Sequence, residues 1–186
     1  MKGEELRELL FKELQKIFDQ DDVKTKWRVH TNSSDNLDRS YMYTPETDVV
    51  VGPYNISRQI KRNNKNINSA FEKYRGFLDS INQIATKKFD EDSLNSNPRC
   101  FIAIEVAGSG SEKHLLGDMF NTSILGKVGM VVGANEKNLK TYQRIYEYVN
   151  FAYEVEKTSQ YFGNVAILDG VEFLGFLKKL NKESKN

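Results

Sequence analysis

Cysteine occurs once in these 186 residues, histidine twice and proline three times. A single thiol, Cys100, excludes an internal disulfide and suits a reducing cytoplasm. Cys100 stands at the head of an apolar run, so it reads as a small core residue rather than a reactive thiol. With so few histidines and cysteines there is no zinc-type cluster and no metalloprotease pattern, and neither a G-x-S-x-G elbow nor a G-x-G-x-x-G loop occurs. No run approaches the roughly 20 apolar residues of a membrane span. The N-terminus is charged and helical, unlike a signal peptide. Charge of one sign is missing too: 27 Lys and Arg face 26 Asp and Glu, for a net +1. No global field announces a nucleic-acid or membrane binder, so any such role rests on local patches. At 39% hydrophobic residues, the expectation is one soluble, cytoplasmic domain spanning 1–186, with one substantial core and no membrane partner.

What is present is a regular alternation of patterns. Leu6, Leu9, Leu10, Leu14, Ile17 and Phe18 give residues 3–20 the spacing of an amphipathic helix. A strand is expected around Lys26–Thr31, and residues 32–39 form a polar, turn-prone segment. Tyr41–Thr44 is a further extended candidate, and the strand opened by Asp48 ends at Gly52-Pro53. Residues 56–89 change to a helical pattern, with a break plausible near Asn63–Asn68. Strands follow at 101–106, 128–132 and 165–168, with helices at 112–125, 136–157 and 171–180 between and after them. The order is helix, strand, strand, helical insertion (56–95), then strand and helix three times over. That order suits an α/β fold: a mixed β-sheet flanked by helices.

Two acids stand out. Asp48 opens the apolar run Asp48-Val49-Val50-Val51-Gly52, and Glu105 closes Phe101-Ile102-Ala103-Ile104-Glu105-Val106. A carboxylate at the rim of a buried strand is unfavourable by several kcal/mol unless paired or bound to a cation. In an antiparallel pair the start of one strand lies beside the end of the other, so the acids converge; in a parallel pair they stand about 17 Å apart or more. Convergence makes a two-carboxylate site suited to a hard divalent cation. The plainer alternative is a pair of strand-end acids capped by lysines or backbone amides. A third acid comes from the first helix. With Leu6 at zero and 100° per residue, the apolar arc runs from roughly 300° through zero to 120°, and Glu13 falls near ~340°. Glu13 is then the glutamate of that helix aimed at the sheet, unless it reaches solvent or pairs with a lysine.

The text Pro45-Glu46-Thr47-Asp48-Val49-Val50-Val51-Gly52, then Ile102-Ala103-Ile104-Glu105-Val106-Ala107, after a helix bearing Glu13, resembles the PD-(D/E)XK nuclease superfamily. The resemblance covers about residues 3–135 and implies a restriction-endonuclease-like fold. It implies a Mg²⁺-dependent endonuclease, with Mn²⁺ able to substitute, acting on nucleic acid and on DNA foremost. Asp48, Glu105 and the Val106 carbonyl would hold the metal, and Glu13 would orient water or a second ion. Nucleases of this kind often pair to cut two strands, so a homodimer is a further expectation, without an interface visible in the sequence. The family lysine, two residues after Glu105, is replaced by Ala107. Either the lysine has migrated, with Lys113 the nearest candidate and Lys127 a weaker one, or catalysis has been lost and binding kept, or residue 107 is itself substituted.

Three further features border this text. His114, Asp118 and Asn121 recur at i, i+4 and i+7 and share one helix face; facing the acids, they would hold nucleic-acid backbone or the attacking water. Gly108-Ser109-Gly110-Ser111 lacks the Walker ending and reads as a flexible rim whose serine caps the next helix. In the insertion, Arg58, Lys61 and Arg62, with Tyr54, Phe71 and Tyr74 among the basic residues, offer a phosphate-contacting arm. His30 reads as structural or surface.

Overall fold

The structure is a computed structural model that describes residues 2–28, 45–55 and 60–183, with side chains at 60–63 not described. Five strands form one sheet in sequence order: β1 (Val23–Arg28), β2 (Glu46–Tyr54), β3 (Cys100–Ala107), β4 (Gly126–Gly133) and β5 (Val165–Asp169). The β1–β2 and β2–β3 pairs are antiparallel, whereas β3–β4 and β4–β5 are parallel. The helices are α1 (Gly3–Leu14), α2 (Ile60–Lys73), α3 (Arg75–Ile84), α4 (Glu112–Leu125), α5 (Glu136–Glu154) and α6 (Gly170–Glu183). This is an α/β fold, a mixed sheet flanked by helices, in the element order the hydrophobic pattern implies.

Alternation along the strands decides which side chain meets which layer. Val49 and Val51 of β2, Ile102 and Ile104 of β3, and Val128 and Met130 of β4 join α1, α2, α3 and α6 in one continuous cluster. Val50 and Ala103 belong to a small cluster with Cys100 and Leu125. Ala107, Val131 and Ile167 belong to a third, with Leu115 and Met119 of α4 and Tyr142 and Tyr146 of α5. Cys100 is fully buried, and burial pushes its thiol far above the ordinary value, so it is the core residue its position implies.

Element edges differ from the expectation at several places. Strand β2 starts at Glu46 and continues through Gly52-Pro53 to Tyr54, β4 runs from Gly126 to Gly133, and α5 stops at Glu154. The α-helix of α1 stops at Leu14 and tightens into i→i+3 turns, Lys16 N–H to Glu13 O at 3.2 Å and Ile17 N–H to Leu14 O at 3.0 Å. The apolar spacing persists because Phe18 still enters the core against Tyr74, with ring centroids 4.6 Å apart. Strand β1 begins at Val23, earlier than Lys26. The expected helix over 56–89 is two helices, and it breaks at Tyr74 rather than among the asparagines. There the ring packs against Phe18 and Phe101, and Tyr74 leaves helical geometry to do so. Ile67, Phe71, Leu78 and Ile81 lie in the main cluster, so α2 and α3 are part of the core and not an appended arm. Tyr41–Thr44 and His30 lie outside the described residues.

Candidate functional site

Register brings the two strand-end acids together. Antiparallel pairing sets Val51 against Ile102, Val50 against Ala103 and Val49 against Ile104; the next step places Asp48 beside Glu105. The ladder ends there, and the carboxylates take over its hydrogen bonds. Val106 N–H donates to Asp48 Oδ2 at 2.9 Å, and Asp48 N–H donates to Glu105 Oε2 at 3.4 Å. Each acid thus answers a backbone donor on the opposite strand, which fixes both carboxylates at one end of the sheet.

Helix α4 supplies the facing wall. Ser111 caps it by accepting from His114 N–H at 3.4 Å, as the glycine-serine loop implies. His114, Asp118 and Asn121 then line one cavity of about 250 Å³ with Asp48, Glu105 and Val106. The helical repeat therefore delivers the polar row to the acids. Tyr142 of α5 fixes the third carboxylate, its hydroxyl donating to Asp118 Oδ2 at 2.9 Å. His114 Nε2 stands 4.0 Å from Asp118 Oδ1.

Four carboxyl groups line this small cavity, those of Glu46, Asp48, Glu105 and Asp118, and two of them, Glu105 and Asp118, are shifted there. Glu105 is only 7% exposed. Burial first, then the negative charges of Asp48 and Asp118, push its carboxyl up to about 9. Burial likewise raises Asp118, against the lowering effect of the Tyr142 hydroxyl and of His114. Tyr142 is raised well above its ordinary value by burial and by the same acids. Such a cluster stores negative charge that only a proton or a cation relieves.

Two arginines stand at this site: Arg28 of β1 lines the cavity with its Nε 3.0 Å from Glu46 Oε2, and Arg7 comes from the opposite layer. Arg7 of α1 places Nη1 3.2 Å from Asp48 Oδ1, with its side chain 13% exposed. Its other contacts are longer, to Glu4 at 3.4 Å and Glu8 at 3.7 Å. Arg7 Nε and Thr47 Oγ1 are buried with no hydrogen-bond partner among the described residues.

The remaining candidates disperse. Glu13 does not join the acids: its Oε2 accepts from Asn181 Nδ2 of α6 at 2.8 Å and its Oε1 from Lys16 at 2.6 Å. Burial would raise its pKa, yet those two bonds and nearby lysines hold it lower. Lys113, one position before His114, turns instead into a groove of about 550 Å³ between α4 and α5, beside Leu116, Arg144 and Tyr148. Lys127 sits level with Phe101 at the start of β3, its amine 5.6 Å from the Phe71 ring centre. Four strand residues, about 13 Å, separate that level from Glu105. Ala107 does not disperse: it is 3% exposed, packs beside Leu115 and Met119, and also lines the acid cavity.

Arg58 lies outside the described residues, as do the side chains of Lys61 and Arg62 in α2. The aromatic residues assigned to the insertion's arm are engaged internally. Phe71 and Tyr74 pack in the core, and Tyr54 packs on Trp27 with its hydroxyl donating to Asp22 O at 2.5 Å.

The donor set decides which ions fit. Among the described residues, no group of three or more His, Cys, Asp and Glu side chains is disposed to hold a metal ion. Magnesium is bound more sparsely, through one or two carboxylates with water and substrate phosphate completing the shell. Asp48 and Glu105 supply that number of carboxyl groups, and an ion entering there would have to displace the Glu105 proton. Compared with protein-family models, curated proteins and solved structures, the chain matches none. Among the described residues, no helix is long and apolar enough to cross a membrane.

Proposed function

We propose that this cavity is the active centre of a divalent-cation-dependent endonuclease of restriction-endonuclease-like fold, hydrolysing phosphodiester bonds in nucleic acid, with DNA as the first substrate to test. One observation carries the reading: Asp48 and Glu105 converge at the end of an antiparallel strand pair and share a polar cavity with Asp118. The crossover from β3 through α4 to β4 agrees with the order of elements on which the resemblance rests. Mg²⁺, or Mn²⁺ in its place, would be held by Asp48 and Glu105 and, as the resemblance implies, the Val106 carbonyl; when bound it supplies water activation and charge neutralisation at phosphorus.

The protein's own groups do the positioning. The Val106 N–H holds Asp48 in place, and the Asp48 N–H does the same for Glu105. Tyr142 occupies Asp118 Oδ2, which leaves Oδ1 to take or give a proton, with His114 beside it. Asn121 adds an amide to the same wall, suited to a phosphate oxygen or water.

The test is nicking of supercoiled plasmid in Mg²⁺ or Mn²⁺. Asp48→Ala and Glu105→Ala should each lower the rate by roughly 100-fold or more, the scale of a lost electrostatic group. Undiminished activity in both removes these residues from the chemistry. Ala107 favours a second reading, a nuclease-fold module that binds nucleic acid or a protein partner without cutting. Ala107 borders the acid cavity without a charge to offer it, and Lys113 and Lys127 lie elsewhere. Under that reading no Mg²⁺ or Mn²⁺ concentration yields cleavage while binding persists, and an Ala107→Lys variant that folds gains cleavage.

A further inference from the structure

The strand lacks a positive charge at position 107; Arg28 on the cavity wall is paired with Glu46, and α1 brings Arg7 to Asp48 itself. The delivery is geometrically fixed: a Cβ on Gly3 would lie 2.6 Å from Gly108 Cα, so the start of α1 rests directly on the backbone that follows Ala107. One turn further, Arg7 meets Asp48. Its exposed partners are weak holders, because Glu4 and Glu8 side chains are 80% and 50% exposed. Asp48, 24% exposed, is the shielded partner and makes the shortest contact. The guanidinium is incompletely satisfied even so, since Nε is buried without a partner among the described residues. A buried donor left in that state is unfavourable, so the pairing is closer to a resting contact than to a saturated structural bridge.

We infer that Arg7 is an internal counter-cation that competes with the divalent ion for Asp48, and so sets the ion concentration at which the acid site fills. The inference rests on reading Asp48 and Glu105 as a cation site. Its physical basis is Coulombic. A divalent ion on Asp48 and a guanidinium 3.2 Å from the same carboxylate repel each other in a partly buried setting. The ion therefore enters at the expense of the Arg7 contact, which the long arginine stem permits.

The experiment is calorimetric titration of Mn²⁺ alone into wild type, Arg7→Gln and Arg7→Lys, each checked for folding by circular dichroism. Arg7→Gln should bind Mn²⁺ about tenfold more tightly or better, because the competing charge is gone. Arg7→Lys keeps the charge without the planar fork and should fall between, about threefold tighter than wild type. An Arg7→Gln variant that is folded and binds Mn²⁺ with unchanged or weaker affinity overturns the inference while leaving the acid site standing. If Arg7→Gln fails to fold, Arg7→Lys decides, and unchanged, weaker or lost Mn²⁺ binding in it overturns the inference equally. Absence of Mn²⁺ binding in all three proteins removes the acid site itself, and the competition with it.

Discussion

The two faces of the sheet are built differently. On one, α1, α2, α3 and α6 close over a single apolar cluster that runs unbroken from β2 to β5. On the other, α4 and α5 cover two separate clusters. Val50 and Ala103 belong to one of them and Ala107 to the other, and the β3 residue between Ala103 and Ala107 on that face is Glu105. The unbroken face gives stability and fixes the strands. The divided face gives up packing to hold a group of carboxyl side chains with a tyrosine and a histidine. Function is expected where a fold departs from its own packing rules, and here the departure is confined to one end of one face.

That contrast can be broken from either side. The largest effect belongs to the unbroken face. Leu10→Ala removes a fully buried side chain and should lower stability by about 2–5 kcal/mol in denaturant unfolding. Its effect on the cavity should be small, since Leu10 lies in the other layer.

Glu105→Gln is next, and its sign is opposite. The folded protein holds the Glu105 proton up to about pH 9, while the carboxyl ordinarily loses it near 4.5. Between those values the folded state binds a proton that the unfolded state has lost, so wild-type stability falls as pH rises through that window. Glutamine mimics the protonated acid without this slope. The variant should match wild type near pH 4 and exceed it at pH 8 by on the order of several kcal/mol, read from denaturant midpoints. A wild type as stable at pH 8 as at pH 5 contradicts the burial of that charge.

The smallest effect is at Glu13. Glu13→Gln weakens the Lys16 contact and keeps most of the Asn181 one, so a loss of about 1 kcal/mol or less is expected. Mn²⁺ affinity should be unchanged, and a lost affinity would return Glu13 to the acid site.

The contrast also explains how much of the molecule was legible in its sequence. Asp48 and Glu105 were readable because each interrupts an apolar run, and antiparallel pairing of such runs brings their opposite ends together. The row His114, Asp118 and Asn121 was readable from the helical repeat. Tyr142 was not, because its partner Asp118 lies 24 residues away and nothing local marks the bond. Glu13 shows the limit of a helical wheel: the wheel gives an angle, but the residue waiting there was Asn181, 168 positions later in the chain. The same wheel puts Arg7 near ~100°, also within the apolar arc. That half-buried arginine on an apolar arc was the available signal for a cation beside Asp48. Lys113 is misplaced by one residue of helix, since a rotation of 100° separates the acid cavity from the α4–α5 groove. The break at Tyr74 is not legible because asparagines mark a weak helix locally, whereas aromatic packing from Phe18 and Phe101 decides where the chain bends.

The most direct test of the shared acid site is Mn²⁺ titration of wild type beside Asp48→Ala and Glu105→Ala, followed by calorimetry at constant pH. Joint coordination requires one strong site in wild type and its loss in each variant. A Mn²⁺ isotherm that survives both substitutions intact would contradict it.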